Sequence, residues 1–172
     1  MLQKKSLIRY WIMIRRTLML SWEIFFVCSI SVLKKVWNTV KSFPVKTGRE
    51  NTAFCGSSSG GLFSFFTALS NPDKYSYAGV FSPAFVMFSK DTLRSYVSSK
   101  LTEEMPELYM YCGKGDDKEM ELYPGFETVC DVLEEVYPQG KYEIVVEEEG
   151  KHHEEAWEKG FKEFLGAFLR KG

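Results

Sequence analysis

The stretch Asn51-Thr52-Ala53-Phe54-Cys55-Gly56-Ser57-Ser58-Ser59-Gly60-Gly61-Leu62-Phe63 decides how this chain is read. Residues 51 to 55 form a short apolar run closed by a glycine, as a buried strand does. After it Leu62, Phe63, Phe65, Phe66 and Leu69 supply a helical apolar run that Asn71-Pro72 stops, since proline has no N–H with which to continue a helix. Between strand and helix lies G-x-S-x-G with Ser58 at its centre. A strand that turns at once into a helix needs glycines on both sides of the turn so that the two backbones can approach. The central side chain is then presented at the carboxyl edge of a sheet. Three successive serines also suit a simple helix N-cap, and it is the strand before and the helix after that favour a nucleophile.

Working outward, the same alternation continues. Tyr77 to Ser82 reads as a strand ended by Pro83, Glu107 to Cys112 as another, and Lys141 to Val146 as the last. The stretch from Phe85 to Met105 reads as a long irregular connection. Phe126, Val129, Cys130, Leu133 and Val136 predict a helix over about 126–136, and Trp157, Phe161, Phe164, Leu165 and Phe168 give the apolar face of the final helix. Strands alternating with helices call for a mostly parallel sheet covered by helices on both faces.

A serine hydroxyl needs a base to become a nucleophile at neutral pH. The chain has two histidines, His152 and His153, set between the last strand and the last helix. His152 follows Gly150-Lys151 in a loop that can aim it over the sheet, whereas His153 abuts the helix start, so His152 is the expected base. A solvated His-His-Glu-Glu run at a helix N-terminus is the plainer explanation, and the dipole suits its acidic residues. No HExxH spacing is present, and adjacent side chains diverge, so a metal site is not expected. The acid is expected after the third strand, in Gly113-Lys114-Gly115-Asp116-Asp117-Lys118-Glu119, with Asp116 first, Asp117 second and Glu119 third. Taken alone this is a charged surface loop. The chain order serine, acid, histidine, each after its own strand, is what gives it meaning. The backbone N–H of Ser59 would help to hold an oxyanion.

Composition sets the frame. The 172 residues, 45% of them apolar, suffice for one domain. Residues 1 to 41 carry eight Lys/Arg against the single Glu23, while the remainder carries 14 against 22 acids, for a net charge of −1. An acidic body repels phosphate, so nucleic acid is not an expected partner. Cys28, Cys55, Cys112 and Cys130 lack close pairing and read as free thiols of a reducing compartment, which favours the cytoplasm. The leader is apolar and basic. Thr17 to Leu33 is its one candidate membrane span, but it is short, contains Glu23, and is followed by no cleavage signal, so membrane association is the alternative rather than the expectation. Self-association is left open.

Three blocks of sequence resemble the putative-esterase family of α/β-hydrolases, the enterochelin-esterase-like and esterase D-like proteins. They are Arg49 through Leu62; Asn71-Pro72-Asp73 with Ala78 through Phe85; and Gly150-Lys151-His152-His153-Glu154-Glu155-Ala156-Trp157. The resemblance spans about residues 38 to 172. It implies an α/β-hydrolase sheet and a carboxylic-ester hydrolase that needs no metal or other cofactor. By it Ser58 corresponds to the nucleophile, Asp116 to the acid after a glycine-containing turn, and His152 to the histidine of a G-x-H-x-E block. Relatives often carry a tryptophan where this chain has Val86, which places Phe85 and Val86 as candidate substrate-binding residues. Relatives also have some four further strands before the nucleophile, including the loop that gives a second oxyanion donor. Residues 1 to 41 do not resemble that half. The expected function is therefore a serine ester hydrolase acting on a small-molecule ester through an acyl-enzyme. The alternative is a weak or inactive hydrolase remnant whose leader binds a membrane or a partner.

Overall fold

The computed structural model describes Lys46 and residues 48–171. The leader, with its candidate span at residues 17–33 and Cys28, lies outside the described residues. Within them the chain alternates strand and helix without exception: β1 (Ala53–Ser57), α1 (Ser59–Ser70), β2 (Tyr77–Phe81), α2 (Lys90–Lys100), β3 (Glu107–Gly113), α3 (Asp117–Val136), β4 (Tyr142–Glu147) and α4 (Glu154–Lys171). All three strand pairings are parallel, and the spatial order β1-β2-β3-β4 follows the order of the chain. Ser57, Phe81 and Tyr111 are in register, as are Gly113 and Glu147. Every strand therefore delivers its following loop to the same edge of the sheet. This is the α/β-hydrolase-type arrangement that the sequence predicts.

The sheet is covered on both faces, and alternate strand residues choose between them. Ala78, Val80, Leu108, Met110 and Cys112 face the larger core, where they meet Leu62 and Phe65 of α1, Leu93 and Val97 of α2, and Phe126, Val129 and Leu133 of α3. Tyr77, Phe81, Tyr109 and Tyr111 face the other way. There Phe164 of α4 stacks on Tyr77 at 5.0 Å and lies within 6.2 Å of the Phe81 and Tyr109 rings. Arg49 fastens the entry to β1, donating through its guanidinium to the carbonyls of Pro72, Glu104 and Met105.

Two expectations require correction. The stretch from Phe85 to Met105 is not an irregular connection. It begins with a 3-10 turn at Phe85–Met87 and then forms α2, capped by the Ser89 hydroxyl, which accepts from Thr92 N–H. Only Leu93 and Val97 of this helix are buried; a stripe that narrow, on a helix rich in Ser and Lys, gives little periodic signal. Helix α3 begins nine residues earlier than the predicted 126, at Asp117, and runs through Pro124. Beside that proline a glycine is required, because a Cβ on Gly125 would stand 2.4 Å from Val86 N.

The core packing yields a stability prediction. Phe65 is fully enclosed and meets Phe85 edge-on at 5.0 Å and Phe66 at 5.6 Å. Phe65→Ala should lower the unfolding free energy by about 3–5 kcal/mol, measured by denaturant titration. A loss below about 1 kcal/mol would show that this aromatic cluster is not part of the core.

Candidate active site

Ser58 sits between β1 and α1 with φ 56° and ψ −123°. This is a left-handed conformation that a non-glycine residue holds only at a cost of order 1–3 kcal/mol. It is fixed from both sides: Ser58 N–H donates to Phe81 O at 2.8 Å, and Ser58 O accepts from Leu62 N–H at 3.1 Å. An ordinary N-cap serine has extended backbone and spends its hydroxyl on the first turn. Ser58 does neither, since its side chain makes no capping bond. Nor does any other described residue hydrogen-bond to it. Ser59, the first residue of α1, is exposed, with its N–H at the positive end of the helix.

The glycines of the turn differ in what they do. A Cβ on Gly56 would lie 2.6 Å from Gly60 O, and one on Gly61 would lie 2.7 Å from Phe81 O, whereas one on Gly60 would meet nothing within 4 Å. The close approach expected of Gly56 and Gly60 thus belongs to Gly56 and Gly61.

The histidine loop reaches the same edge through contact with the β3 loop. A Cβ on Gly113 would stand 2.1 Å from Gly150 O, so the two backbones touch where a side chain cannot fit. Gly115 N–H donates to Gly150 O at 2.7 Å, and Lys114 N–H to Glu147 O at 3.0 Å. Above this contact Asp116 acts as a clamp. Its Oδ1 accepts Glu119 N–H at 2.8 Å, capping α3, and its Oδ2 accepts His152 N–H at 2.8 Å. Partial burial pushes the Asp116 carboxyl upward, but these accepted N–H bonds and the nearby His152 outweigh it and hold the group below the usual aspartate range.

The His152 ring, with 12% of its side chain exposed, turns Nδ1 toward Glu119 Oε1 at 3.3 Å, a long but directed contact. Among the three acids proposed from sequence, Glu119 is thus the one the fold brings to the imidazole. Asp116 meets the histidine through its backbone, and Asp117 is exposed. Glu119 is 0% exposed. Its Oε1 also accepts the Ser82 hydroxyl at 2.5 Å, and its Oε2 accepts the Cys112 thiol at 3.3 Å. Ser82 in turn accepts Trp157 Nε1–H at 3.0 Å, and the Trp157 ring stands edge-on to His152 at 4.9 Å. Ser82 and Trp157 were not singled out from sequence. Ser82 is one serine before a proline, and Trp157 reads simply as part of an apolar helix face.

The other predicted residues are placed as follows. His153 donates its backbone N–H to Lys151 O and accepts Trp157 N–H, so it opens α4. Phe85 is fully buried against Phe65 and Phe66, while Val86 is 46% exposed. Cys55, Cys112 and Cys130 are free thiols, and burial raises the Cys55 thiol to about 12. Among the described residues no three His, Cys, Asp or Glu side chains gather as metal ligands, and no helix is long and apolar enough to cross a membrane.

The family model described as "Putative esterase" matches residues 32–168. No curated protein matches the chain. Among solved structures, FphF, a fluorophosphonate-binding serine hydrolase of Staphylococcus aureus, is similar with a TM-score of 0.65 at 22% identity, covering 81% of this chain and 63% of its own. The S-formylglutathione hydrolase FrmB of the same organism gives 0.60 at 20%, covering 80% and 59%. The ferric enterobactin esterase of Salmonella typhimurium gives 0.63 at 15%, covering 78% and 34%. At these identities the likeness is one of fold. The chain spans less than two thirds of the length of these structures.

Two outcomes test the geometry. Gly56→Ala should destabilise by about 1–3 kcal/mol through overpacking, while Gly60→Ala should be neutral or stabilise by up to about 1 kcal/mol; equal losses by thermal melting would contradict the placement of the turn. Asp116→Asn keeps one acceptor but turns an NH2 toward a backbone donor, and should cost roughly 1–3 kcal/mol at neutral pH, as leaving a donor unpaired does. Because the folded group titrates below its unfolded value of about 3.9, the wild-type advantage is full above that pH and is lost as pH falls through the lower folded value. Denaturant midpoints of the two proteins should converge in that acidic window. A gap that persists there would show that charge is not what Asp116 contributes.

Proposed function

The chain belongs to the putative esterase family, and from that premise we propose that it serves as a carboxylic-ester hydrolase with Ser58 as nucleophile and His152 as base. The observation that carries the reading is Ser58 itself. Its backbone is held at φ 56° between a parallel strand and a helix, with the hydroxyl given to no cap. Such strain persists where surrounding structure over-determines it, and a capping serine has no use for it.

In this reading Ser58 Oγ attacks the carbonyl carbon of a small-molecule ester while its proton passes to His152 Nε2. The oxyanion that forms lies at the N-terminus of α1, where the Ser59 N–H donates to it. His152 returns the proton to the leaving alcohol as the C–O bond breaks, which leaves an acyl group on Ser58. Water then attacks the acyl carbon and gives a proton to His152, which returns it to Ser58 Oγ as the acyl–Oγ bond breaks, and the acid product departs. Glu119, at 3.3 Å from Nδ1, takes the orienting role, and Asp116 holds the loop backbone. This differs from the sequence order, in which Asp116 came first. No hydrogen bond joins Ser58 to His152 in the structure; catalytic contacts of this kind commonly tighten when substrate binds. The exposed Val86 is a candidate for contact with substrate, and Phe85 would act from beneath by packing.

A fluorophosphonate probe followed by peptide mapping tests the nucleophile. The adduct should fall on Ser58 and vanish in Ser58→Ala, while an adduct on Ser57 or Ser59 would defeat the assignment. With an aryl ester, His152→Ala should abolish turnover and His153→Ala retain most of it. Glu119→Gln should cost on the order of 10⁴ in kcat, as when a triad histidine loses its acid, and Asp116→Asn considerably less. The reverse ranking would restore Asp116 as the acid.

A further inference from the structure

The hydrogen bonds around Glu119 have directions that the chemistry of each side chain fixes. An indole N–H can only donate, so Trp157 occupies a lone pair of Ser82 Oγ at 3.0 Å. The Ser82 hydroxyl proton is left to point at Glu119 Oε1, 2.5 Å away. The Cys112 thiol donates to the other oxygen. A carboxylate whose remaining neighbours all donate meets His152 as an acceptor too, which requires the imidazole proton to be on Nδ1. Nε2 then carries the lone pair.

We infer that Ser82 and Trp157 are positioning residues that act through Glu119 to keep His152 in its Nδ1–H tautomer, the form able to accept a proton at Nε2. The inference rests on the reading of His152 as the base. The two residues are suited to the task by more than contact. Ser82 is fully buried at the end of β2, the strand lying between those of Ser58 and the acid loop, and its backbone is held at φ 43°. Its own N–H donates to Tyr111 O at 2.7 Å, so the residue is fixed at both ends. A glycine would hold that backbone with less strain but has no hydroxyl to direct. Trp157 is 4% exposed and does two things at once, because the ring whose N–H orients Ser82 also packs against His152 at 85°. One side chain thus packs against the histidine ring and also begins the hydrogen-bond relay through Ser82 to Glu119.

The test is nuclear magnetic resonance on the full chain with 15N-labelled histidine, at a pH where the imidazole is neutral, using His153→Ala to assign the two rings. Wild-type His152 should show a protonated Nδ1 and an unprotonated Nε2. Ser82→Ala, which removes the directed proton, and Trp157→Phe, which keeps a ring against His152 but removes the N–H, should each populate the Nε2–H form. Both should lower kcat for an aryl ester by about 10-fold or more with KM little changed, less than the ~10⁴-fold that follows a wholly wrong tautomer. If Ser82→Ala does not fold, Trp157→Phe and the wild-type spectrum still decide. An Nε2–H wild-type ring, or a tautomer unmoved in a folded variant, overturns the inference even in an active esterase. An Nδ1–H ring that shifts as expected in a protein without ester hydrolysis supports it and sinks the functional reading instead.

Discussion

The backbone of Gly150 lies directly on that of Gly113, and the histidine loop reaches the sheet edge through that contact. With any side chain at residue 113 the loop would have to lift, since the space is filled by a carbonyl 2.1 Å from where a Cβ would be. Lifting it would break together the bond that Gly115 N–H donates to Gly150 and the one that His152 N–H donates to Asp116. The Asp116 carboxylate ties the same loop to the first turn of α3, so helix start and histidine are set by a single group. These two constraints bring the His152 backbone to the sheet edge, where its ring reaches Glu119.

Placing a carboxylate where Glu119 lies is costly, because an acid out of water is tolerated only when its oxygens are hydrogen-bonded. Both oxygens are, by Ser82 and Cys112 in addition to the imidazole. Its place in the first turn of α3 helps further, since the exposed amides there favour negative charge. A network of this sort rewards completeness: removal of one donor leaves a buried acceptor short and affects the remaining partners as well.

Much of this was legible in the residues. The four strands fall within about two residues of where the apolar runs place them, because each is short and bounded by glycine, proline or polar turns. The loops that carry Ser58 and His152 follow parallel strands and so leave the same edge of the sheet. The parts that were not legible share a cause. Asp116 and Glu119 stand three apart at a helix start, a spacing that looks like a capping pair facing solvent; the structure turns the second acid inward, and nothing local distinguishes the two cases. The predicted start of α3 at about 126 falls just after Pro124, a residue that the helix in fact runs through. Helix α2 buries only two residues, too few to announce a face. Ser82 gains its meaning from a tryptophan 75 positions away, and no window along the chain spans that distance.

Because strand order in the sheet repeats strand order in the chain, the described domain can assemble vectorially during synthesis. Each new strand finds its partner in the one made just before it, which keeps the loops to be closed short. The Ser58 turn is enclosed as soon as β2 docks, since Phe81 supplies the carbonyl that holds it. Glu119 emerges later, and Trp157 and His152 last of all. The strained Ser58 turn is thus held before Glu119, His152 and Trp157 can meet, which they do only once α4 folds back onto the sheet.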